Sequence, residues 1–368
     1  MEHAFSAAEQ RVEEGPVVIH VITEKGRGYS PAEDDDEKHL HDAPIFDPIN
    51  GPPKSVPTGY TEAFADTIIK LAEQDSRIVA ITAAMPGPTG LIQFQEHFPD
   101  RFFDVGIAEQ HAVTAAAGMA MGGLRPVVAL YSTFLNRAWD QVVYDVAMHR
   151  LPVIFCLDRA GITGDDGPSH HGIYDMALLS KVPGMRVLVP SSTQEVEQML
   201  KDAITLANEG PVVIRYPKGV ARSVDAADIG SGLAARKLLT DESNTVCILA
   251  IGKMVGASLD AAALLAAKGI PATVWDVRSC APLDQSMIDN AAHYILKGLN
   301  QLRLNVHYLL AAALLIVLPA LFLYIVHISF ETSLVNQNTV EKEAISLLHD
   351  SIELNLQEGV SKITLQKH

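Results

Sequence analysis

Short apolar runs recur up to about residue 290 and alternate with segments in which apolar residues return every three or four positions. Short runs rich in Val, Ile and Leu are typical of strands buried on both faces, and the intervening pattern is typical of amphipathic helices. The pattern therefore predicts an α/β fold built on a parallel sheet with helices on both faces. The predicted strands of this sheet are residues 78–82, 127–130, 153–157, 187–189 and 212–214.

A single carboxylate, Glu109, lies where a predicted strand at 101–104 gives way to an alanine-rich helix at 108–121. Ligands of open parallel sheets bind beyond the carboxyl ends of the strands, so this position suits a cofactor. The alternative is that Glu109 only interacts with the positive end of the helix. Gly118, in the same helix, is interpreted as a point of close packing.

A second, smaller α/β unit is predicted from about residue 245. It consists of a strand at 246–251, a helix at 258–267 and a strand at 272–276. No repeat of fixed period is apparent along the chain.

Composition narrows the class of protein. Cys156, Cys247 and Cys280 lie far apart, in or next to apolar strands, which favours reduced thiols in a cytosolic setting over a disulfide framework. The net charge of -16 argues against non-specific nucleic-acid binding, so no nucleic-acid partner is expected.

Several longer motifs follow one another along the chain. In this order they resemble the transketolase group of thiamine-diphosphate enzymes, and within that group the deoxyxylulose-phosphate synthases. The resemblance extends from about residue 15 to residue 293. The motifs are residues 20–29 (HVITEKGRGY), 106–111 (GIAEQH), 131–141 (YSTFLNRAWDQ), 158–172 (DRAGITGDDGPSHHG) and 215–219 (RYPKG).

The resemblance implies a division of the chain into four parts. Residues 1–54 correspond to the end of a diphosphate-binding domain and a linker, and residues 55–222 to a transketolase-like pyrimidine-binding domain. Residues 240–294 correspond to part of the transketolase C-terminal α/β domain. Residues 295–368 depart from the family.

For the cofactor, the resemblance centres on Glu109. Thiamine diphosphate reacts through carbon 2 of its thiazolium ring, and its own aminopyrimidine removes the proton from that carbon. Glu109 is expected to hydrogen-bond the pyrimidine nitrogen opposite the amino group and to favour the imino tautomer, a role suited to a partly desolvated carboxyl group with a raised pKa. Phe134 is expected to stack on the pyrimidine, and Ile107 to contribute to the cofactor site. Taken alone, Phe134 could also be an ordinary core residue.

The resemblance implies pyruvate as donor and glyceraldehyde 3-phosphate as acceptor. The products are carbon dioxide and 1-deoxy-D-xylulose 5-phosphate, a precursor of isoprenoids, thiamine and pyridoxal. Guanidinium groups suit phosphate, and histidine moves protons near neutral pH. The residues that match substrate-binding positions of the family are Tyr131, Arg159, Asp166 and Arg215, and those that match catalytic histidines are His170 and His20.

Each of these matches has a plainer alternative. The two arginines could form surface ion pairs, and His170 with its neighbour His171 could belong to a polar loop. His20 lies in a strand-like apolar run, where a histidine is often a satisfied core residue. These alternatives remain open at the level of sequence.

Metal ligands are not assigned within this chain. The family holds Mg²⁺ with Gly-Asp-Gly and a downstream Asn on a preceding domain, and the sequence contains no Gly-Asp-Gly. The nearest string, GDDG at 164–167, lies in the acceptor loop, and an Asp pair alone does not provide octahedral oxygen ligands. Mg²⁺ is therefore expected on a separate domain. The acidic run 34–37 fits a solvated linker, with Ca²⁺ or Mg²⁺ binding as the other interpretation.

The chain changes character after residue 293. Residues 308–326 contain no Asp, Glu, Lys or Arg, which predicts a transmembrane helix at about 308–328. A buried helix of a large protein is the alternative. Lys297 and Arg303 precede the span, so the positive-inside tendency predicts a cytosolic enzyme-like part with a single-pass anchor. Residues 329–368 form a polar tail without a recognised catalytic motif.

Three hypotheses follow. The chain is an incomplete deoxyxylulose-phosphate synthase, the pyrimidine-binding subunit of a split enzyme whose other chain supplies the Mg²⁺ site, or a non-catalytic membrane-anchored fusion or fragment. The family forms dimers, so the expected partners are a second copy or a separate diphosphate-binding chain.

We expect the purified chain alone to catalyse little or no carboligation, because the sequence encodes only the pyrimidine side of the cofactor site. The measurement is deoxyxylulose phosphate formed from pyruvate and glyceraldehyde 3-phosphate with thiamine diphosphate and Mg²⁺. Robust turnover by this polypeptide alone would contradict the expectation.

Overall fold

A seven-stranded sheet organises the larger part of the molecule, and a three-stranded sheet follows it along the chain. The computed structural model describes residues 1–35, 39–41, 46–51, 59–240 and 246–301. Within these ranges the strands are β1 (Ile78–Thr82), β2 (Phe102–Asp104), β3 (Arg125–Tyr131), β4 (Ile154–Asp158), β5 (Arg186–Leu188), β6 (Val212–Arg215), β7 (Arg236–Leu239), β8 (Val246–Ala250), β9 (Ala272–Asp276) and β10 (Ser279–Ala281).

The helices flank these strands in the alternating order expected of an α/β protein. They are α1 (Glu2–Glu9), α2 (Ser30–Glu33), α3 (Tyr60–Gln74), α4 (Ile92–His97), α5 (Glu109–Met121), α6 (Trp139–Gln141), α7 (Asp175–Leu179), α8 (Thr193–Leu206), α9 (Met254–Ala266) and α10 (Gln285–Gln301). The chain continues from α6 into a π-helical segment, Val142–Ala147.

The large sheet has the order β10-β5-β6-β4-β3-β1-β2. All of its neighbouring strands run parallel except β10, which adds to β5 in the antiparallel direction. The register pairs Val127 with Ile154 and Tyr131 with Asp158, so β3 and β4 end at the same edge. Loops that follow these strands therefore meet at that edge.

Both faces of the sheet are buried, which explains the continuous apolar runs in the sequence. Successive residues of a strand point to opposite faces. Val128 and Phe155 pack in the core that includes α5, whereas Val127 and Ile154 pack in the core that includes α3 and α8. The predicted strands of the large sheet lie where the apolar runs placed them, within one or two residues.

The smaller sheet has the order β7-β9-β8, with β8 and β9 parallel and β7 antiparallel to β9. Helix α9 packs on it through Ala262, which contacts Ala272 and Val274 in the same cluster. The sequence predicted β8, α9 and β9 but gave no sign of β7 or β10. Arg236–Leu239 has two basic residues followed by two leucines, without the alternation typical of a strand, and Ser279–Ala281 is only three residues long.

A fully buried arginine links the two sheets. Arg278 lies between β9 of the small sheet and β10 of the large one, and its Nε donates to Glu195 Oε2 of α8 at 2.9 Å. Its NH1 donates to the carbonyl oxygens of Ser231, Gly232 and Ala234, in the segment that connects the sheets. The guanidinium thus ties a helix, a connecting segment and the crossover between the sheets to one point.

The fold class predicted from the sequence needs a correction. It included a transmembrane helix at about 308–328, a segment that lies outside the described residues. Where the structure does describe the chain, no helix combines the length and the apolar character that crossing a membrane requires. Helix α10, the last one described, has 17 residues and carries polar side chains such as Asp289 and Asn290. The fold class is therefore corrected to α/β domains without a membrane span among the described residues, and the predicted single-pass anchoring is corrected with it.

The packing assigned to Gly118 is also wrong. This residue lies on the exposed face of α5, and no described heavy atom would lie within 4 Å of a Cβ added there. The alanines of the helix, among them Ala112 and Ala116, make the close contacts with the sheet instead.

Removing the buried Arg278 should destabilise the protein strongly. An R278M variant leaves the Glu195 carboxylate buried without its partner, which typically costs ~3–5 kcal/mol. The side chains of Arg278 and Glu195 are 0% and 1% exposed. We expect a matching fall in the free energy of unfolding, measured by urea denaturation followed by circular dichroism.

The matched control is E197Q, which breaks the exposed Glu197–Lys201 pair on the same helix. Exposed pairs of this spacing contribute about 0.5 kcal/mol or less, so this variant should unfold close to the wild type. Equal effects of the two substitutions would contradict the structural role given to Arg278.

Candidate active site

A cavity of about 480 Å³ opens at the carboxyl-terminal edge of the large sheet. The segment after β1, the segment before α5 and the end of β3 contribute to its wall, together with a loop after β4. This is the edge at which ligands of open α/β sheets bind. The residues that line the cavity are His41, Ala83, Ala84, Met85, Pro88, Ile107, Glu109, Tyr131, Phe134, Arg137, Asp166 and His170.

Glu109 is the first residue of α5 and is only 2% exposed. Its Oε2 has no hydrogen-bond partner among the described residues. Arg137 Nε lies 3.1 Å from this oxygen, but the pair lacks hydrogen-bond geometry, and the Arg137 side chain is half exposed. A buried carboxylate oxygen without a hydrogen bond is uncommon, and in a cavity wall it can bond to a ligand atom.

Two aromatic rings form one wall of the cavity. Tyr131, the last residue of β3, stacks on Phe134 with ring centroids 5.6 Å apart and an interplanar angle of 12°. The His170 ring meets both edge-on, at 6.1 Å from Tyr131 and 5.5 Å from Phe134. The wall thus presents flat apolar faces beside a titratable imidazole, a combination suited to a planar heterocycle.

Arg159 lies behind this wall. Its guanidinium packs over the Tyr131 ring at 4.3 Å from the centroid, and NH1 donates to the Pro88 carbonyl at 2.7 Å. NH1 also lies 3.1 Å from Asp158 Oδ1. Arg159 therefore joins two residues of the cavity wall but does not line the cavity itself.

Asp158 is fully buried beneath the site. Its carboxylate accepts hydrogen bonds from Thr61 Oγ1 and from the Arg159 backbone N–H, each at 2.6 Å. Burial raises the pKa of Asp158, and the charge of Arg159 and these hydrogen bonds oppose the shift. Asp158 and Arg159 thus form a buried ion pair at the end of β4.

A loop between β4 and α7 carries Asp166 and His170 into the cavity. Its base is closed by two backbone hydrogen bonds between Gly161 and Gly172, at 2.8 and 2.9 Å. Asp166 Oδ1 accepts from Lys218 Nζ at 2.5 Å, which ties the loop to the segment after β6. The loop is thus held at its base and near its tip.

Arg215, the last residue of β6, does not line the cavity. Its Nε donates to Asp175 Oδ2 at 2.6 Å, and both side chains are largely buried. The guanidinium is therefore paired with α7, which begins at Asp175.

Models of two transketolase domains match the chain. The transketolase pyrimidine-binding domain matches residues 57–223, and the transketolase C-terminal domain matches residues 236–295. A solved structure described as a split-gene transketolase, an inactive beta4 tetramer, is 30% identical with a TM-score of 0.58, over 65% of this chain and 77% of that one. The chain belongs to the transketolase family.

Curated members of the family give a narrower comparison. The 1-deoxy-D-xylulose-5-phosphate synthase of Mycobacteroides abscessus is 49% identical over 299 residues, which are 80% of this chain and 46% of that protein. The synthase of Gloeobacter violaceus is 49% identical over 285 residues, 74% of this chain and 44% of that protein. This transketolase-family chain thus spans a little under half the length of these relatives. By family it is a transketolase-type transferase.

The structure of this family member brings most of the site residues named from the sequence into one cavity wall. Those that line the cavity are Ile107, Glu109, Tyr131, Phe134, Asp166 and His170. Arg159 and Arg215 lie outside the lining, in ion pairs. His20 is exposed, belongs to no strand and does not line the cavity, so the strand expected around it is wrong. The roles of these residues stay predictions.

Sequence reasoning gave no role to several residues that line the cavity. Arg137 follows Phe134 in a motif quoted for the resemblance, and its position beside Glu109 depends on how the turn after β3 folds. Met85 and Pro88 lie in a connection without regular structure. No periodic signal marks such residues, because their positions depend on tertiary contacts.

Adding a methyl group at Gly172 should disturb the loop between β4 and α7. A Cβ there would lie 2.5 Å from Ser132 Cβ and 2.7 Å from the Arg159 carbonyl oxygen. We expect G172A to lower the free energy of unfolding by ~1–3 kcal/mol, as overpacking does. The control is G118A on the open face of α5, which should stabilise the protein by ~0.5–1 kcal/mol. Urea denaturation compares the two, and a G172A protein as stable as wild type would show that the loop is loosely packed.

Proposed function

We propose that the chain is the pyrimidine-binding part of a thiamine-diphosphate-dependent transferase. The proposed reaction joins pyruvate to glyceraldehyde 3-phosphate and gives 1-deoxy-D-xylulose 5-phosphate and carbon dioxide. Similarity to proteins named for this synthase supports the reaction. The observation that carries the proposal is the buried Glu109, whose Oε2 has no hydrogen-bond partner among the described residues, beside an aromatic wall.

The residues present fit the pyrimidine end of the cofactor. When bound, thiamine diphosphate supplies a nucleophilic carbon for attack on a ketone. Glu109 would hydrogen-bond the ring nitrogen opposite the amino group and exchange a proton with it, since its carboxyl group lines the cavity. Phe134 would stack on the pyrimidine, and the exposed Ile107 would cover its other side.

The acceptor end is proposed to lie under the loop after β4. His170 would exchange a proton with the acceptor carbonyl or hydroxyl, since its ring borders the same wall as Phe134. Tyr131 and Asp166 would hydrogen-bond the acceptor. Arg159 would hold the Tyr131 ring in place, and it reaches phosphate only after a change of side-chain conformation. Arg215 would act at the phosphate under the same condition, because Asp175 pairs with it now.

The diphosphate end needs groups from elsewhere. Among the described residues there is no group of three or more His, Cys, Asp or Glu side chains placed to hold a metal ion. We propose that a diphosphate-binding domain supplies the Mg²⁺ ligands, either from the same polypeptide in a longer form or from another chain. Residues 55–222 and 240–294 would then be the pyrimidine-binding and C-terminal domains, and 1–54 the connection to that domain.

A split enzyme is the second candidate. The similarity to a protein described as a split-gene transketolase favours it, since that protein has a length closer to this chain. In this case two polypeptides would form the cofactor site between them. His20, which lies away from the cavity here, would act only if the second chain brings it to the reacting centre.

The test is complementation. We expect a separately expressed diphosphate-binding domain, mixed with this chain, thiamine diphosphate and Mg²⁺, to produce deoxyxylulose phosphate from pyruvate and glyceraldehyde 3-phosphate. Carboligation of pyruvate with a different acceptor would replace the proposed reaction by another of the family. Absence of cofactor binding by the mixture would contradict the proposal altogether.

In the complemented enzyme, E109Q should lower kcat by ~10²–10⁴-fold, because an amide cannot hold or release the proton at the pyrimidine nitrogen. E197Q, an exposed Glu to Gln change on α8, serves as the control and should leave kcat unchanged. Equal turnover by E109Q and wild type would mean that Glu109 is not the acid that acts on the cofactor.

A further inference from the structure

Asp104, at the carboxyl end of β2, makes contacts that the proposed function does not yet use. Its Oδ1 accepts a hydrogen bond from the Ala84 backbone N–H at 2.7 Å and one from the Gly106 N–H at 3.0 Å. The second contact is local and resembles an Asx turn. The first reaches across the sheet edge to the segment after β1.

The two donors belong to different walls of the cavity. Ala84 is followed by Met85 and Pro88 on one side, and Gly106 is followed by Ile107 and Glu109 on the other. Asp104 itself does not line the cavity and is exposed. One carboxylate oxygen therefore joins the two segments from outside the site.

The backbone at Ala84 needs such support, whereas glycine adopts a positive φ freely. Ala84 has a φ of 59° and Gly106 a φ of 69°. A left-handed conformation is costly for alanine, and such strain persists only where surrounding contacts hold it. A charge-assisted hydrogen bond to the Ala84 N–H is a contact of this kind.

Strand pairing does little to hold these segments. β2 is a three-residue strand at the edge of the sheet, and among the described residues its only strand neighbour is β1. The last pair of the register is Thr82 with Asp104, and one further backbone bond, from the Val105 N–H to the Thr82 carbonyl, lies at 3.1 Å. After this last backbone bond, the next link between the two segments is the hydrogen bond from the Ala84 N–H to the Asp104 carboxylate.

We propose that Asp104 is a positioning residue for the pyrimidine site. Its carboxylate fixes the segment after β1 against the segment before α5 and so sets where the Glu109 carboxyl meets the pyrimidine ring. This inference rests on the proposed function for the identity of the ligand. The contacts of Asp104 with both segments can be tested without any ligand.

The first test is hydrogen–deuterium exchange of the full chain, followed by mass spectrometry. D104A removes the acceptor, so peptides that contain Ala84 and Gly106 should exchange about ten-fold faster. D104N keeps one oxygen acceptor and should retain most of the protection. The control is D100A, which changes an exposed aspartate in the turn Pro99–Arg101. Unchanged exchange in D104A, or an equal rise in β3 and β4, would overturn the proposal.

The second test is thiamine diphosphate binding by the mixture with a diphosphate-binding domain, measured by titration calorimetry. We expect D104A to raise the cofactor Kd about ten-fold and D104N to restore it to within about three-fold of wild type. In the assay of turnover, the KM for thiamine diphosphate should rise while the KM for pyruvate stays unchanged. A cofactor Kd equal to that of wild type would show that Asp104 is merely structural.

Different results would contradict the proposed reaction and the positioning role of Asp104. A wild-type mixture that binds the cofactor without carboligation would contradict the proposed reaction and leave the Asp104 test intact in the binding measurement. A wild-type mixture that does not bind the cofactor would overturn both proposals.

Discussion

The parallel register of β1, β3 and β4 is the constraint on which the rest of the structure depends. Because Ala80 pairs with Val127 and Val127 with Ile154, the three strands end at one edge. Apart from His41, the residues that line the cavity lie at that edge or in the segments that follow its strands. Cores on both faces of the sheet hold this register, since a shift by one residue would exchange Val127 with Val128 between two different cores.

The same edge concentrates buried polar groups, which would destabilise the fold if they were unsupported. Thr61 donates a hydrogen bond to Asp158, and Arg159 forms an ion pair with it. The negative charge of Asp158 also affects the pKa values of neighbouring groups. Burial raises the pKa of Tyr216 well above its usual range, and the charge of Asp158 adds to the shift. Burial likewise raises the pKa of Cys156, so its thiol stays protonated and unreactive at neutral pH. Cys156 and Tyr216, beneath the cavity, therefore stay protonated, whereas Glu109 and His170 line the cavity and can contact a ligand.

Sequence reasoning succeeded where local pattern and tertiary structure agree. The strands of the large sheet follow from continuous apolar runs, and the place of Glu109 follows from a strand that gives way to a helix. Phe134, Tyr131 and His170 lie together because their motifs follow strands β3 and β4, which are neighbours. The strand β10 could not be predicted, because Ser279–Ala281 is ordered by pairing with β5 of the large sheet, about ninety residues earlier in the chain. Arg215 matches a substrate-binding motif, yet its partner Asp175 is determined by where α7 packs. The transmembrane helix rested on hydropathy alone, and no described helix supports it.

The arrangement around Glu109 explains how one carboxylate can be both buried and available. Full burial of an isolated charge is costly, and the nearby Arg137 guanidinium compensates part of that cost. Because the pair lacks hydrogen-bond geometry, a ligand atom that bonds to Oε2 need not first break a hydrogen bond. Arg137 is half exposed, so its charge can return to water at little cost when a ligand takes its place. Asp104 acts on the same residue through the backbone, since it accepts a hydrogen bond from the Gly106 N–H, three residues before the helix begins. The acid is thus held by the sheet edge, while its charge partner, Arg137, lies half exposed at the cavity.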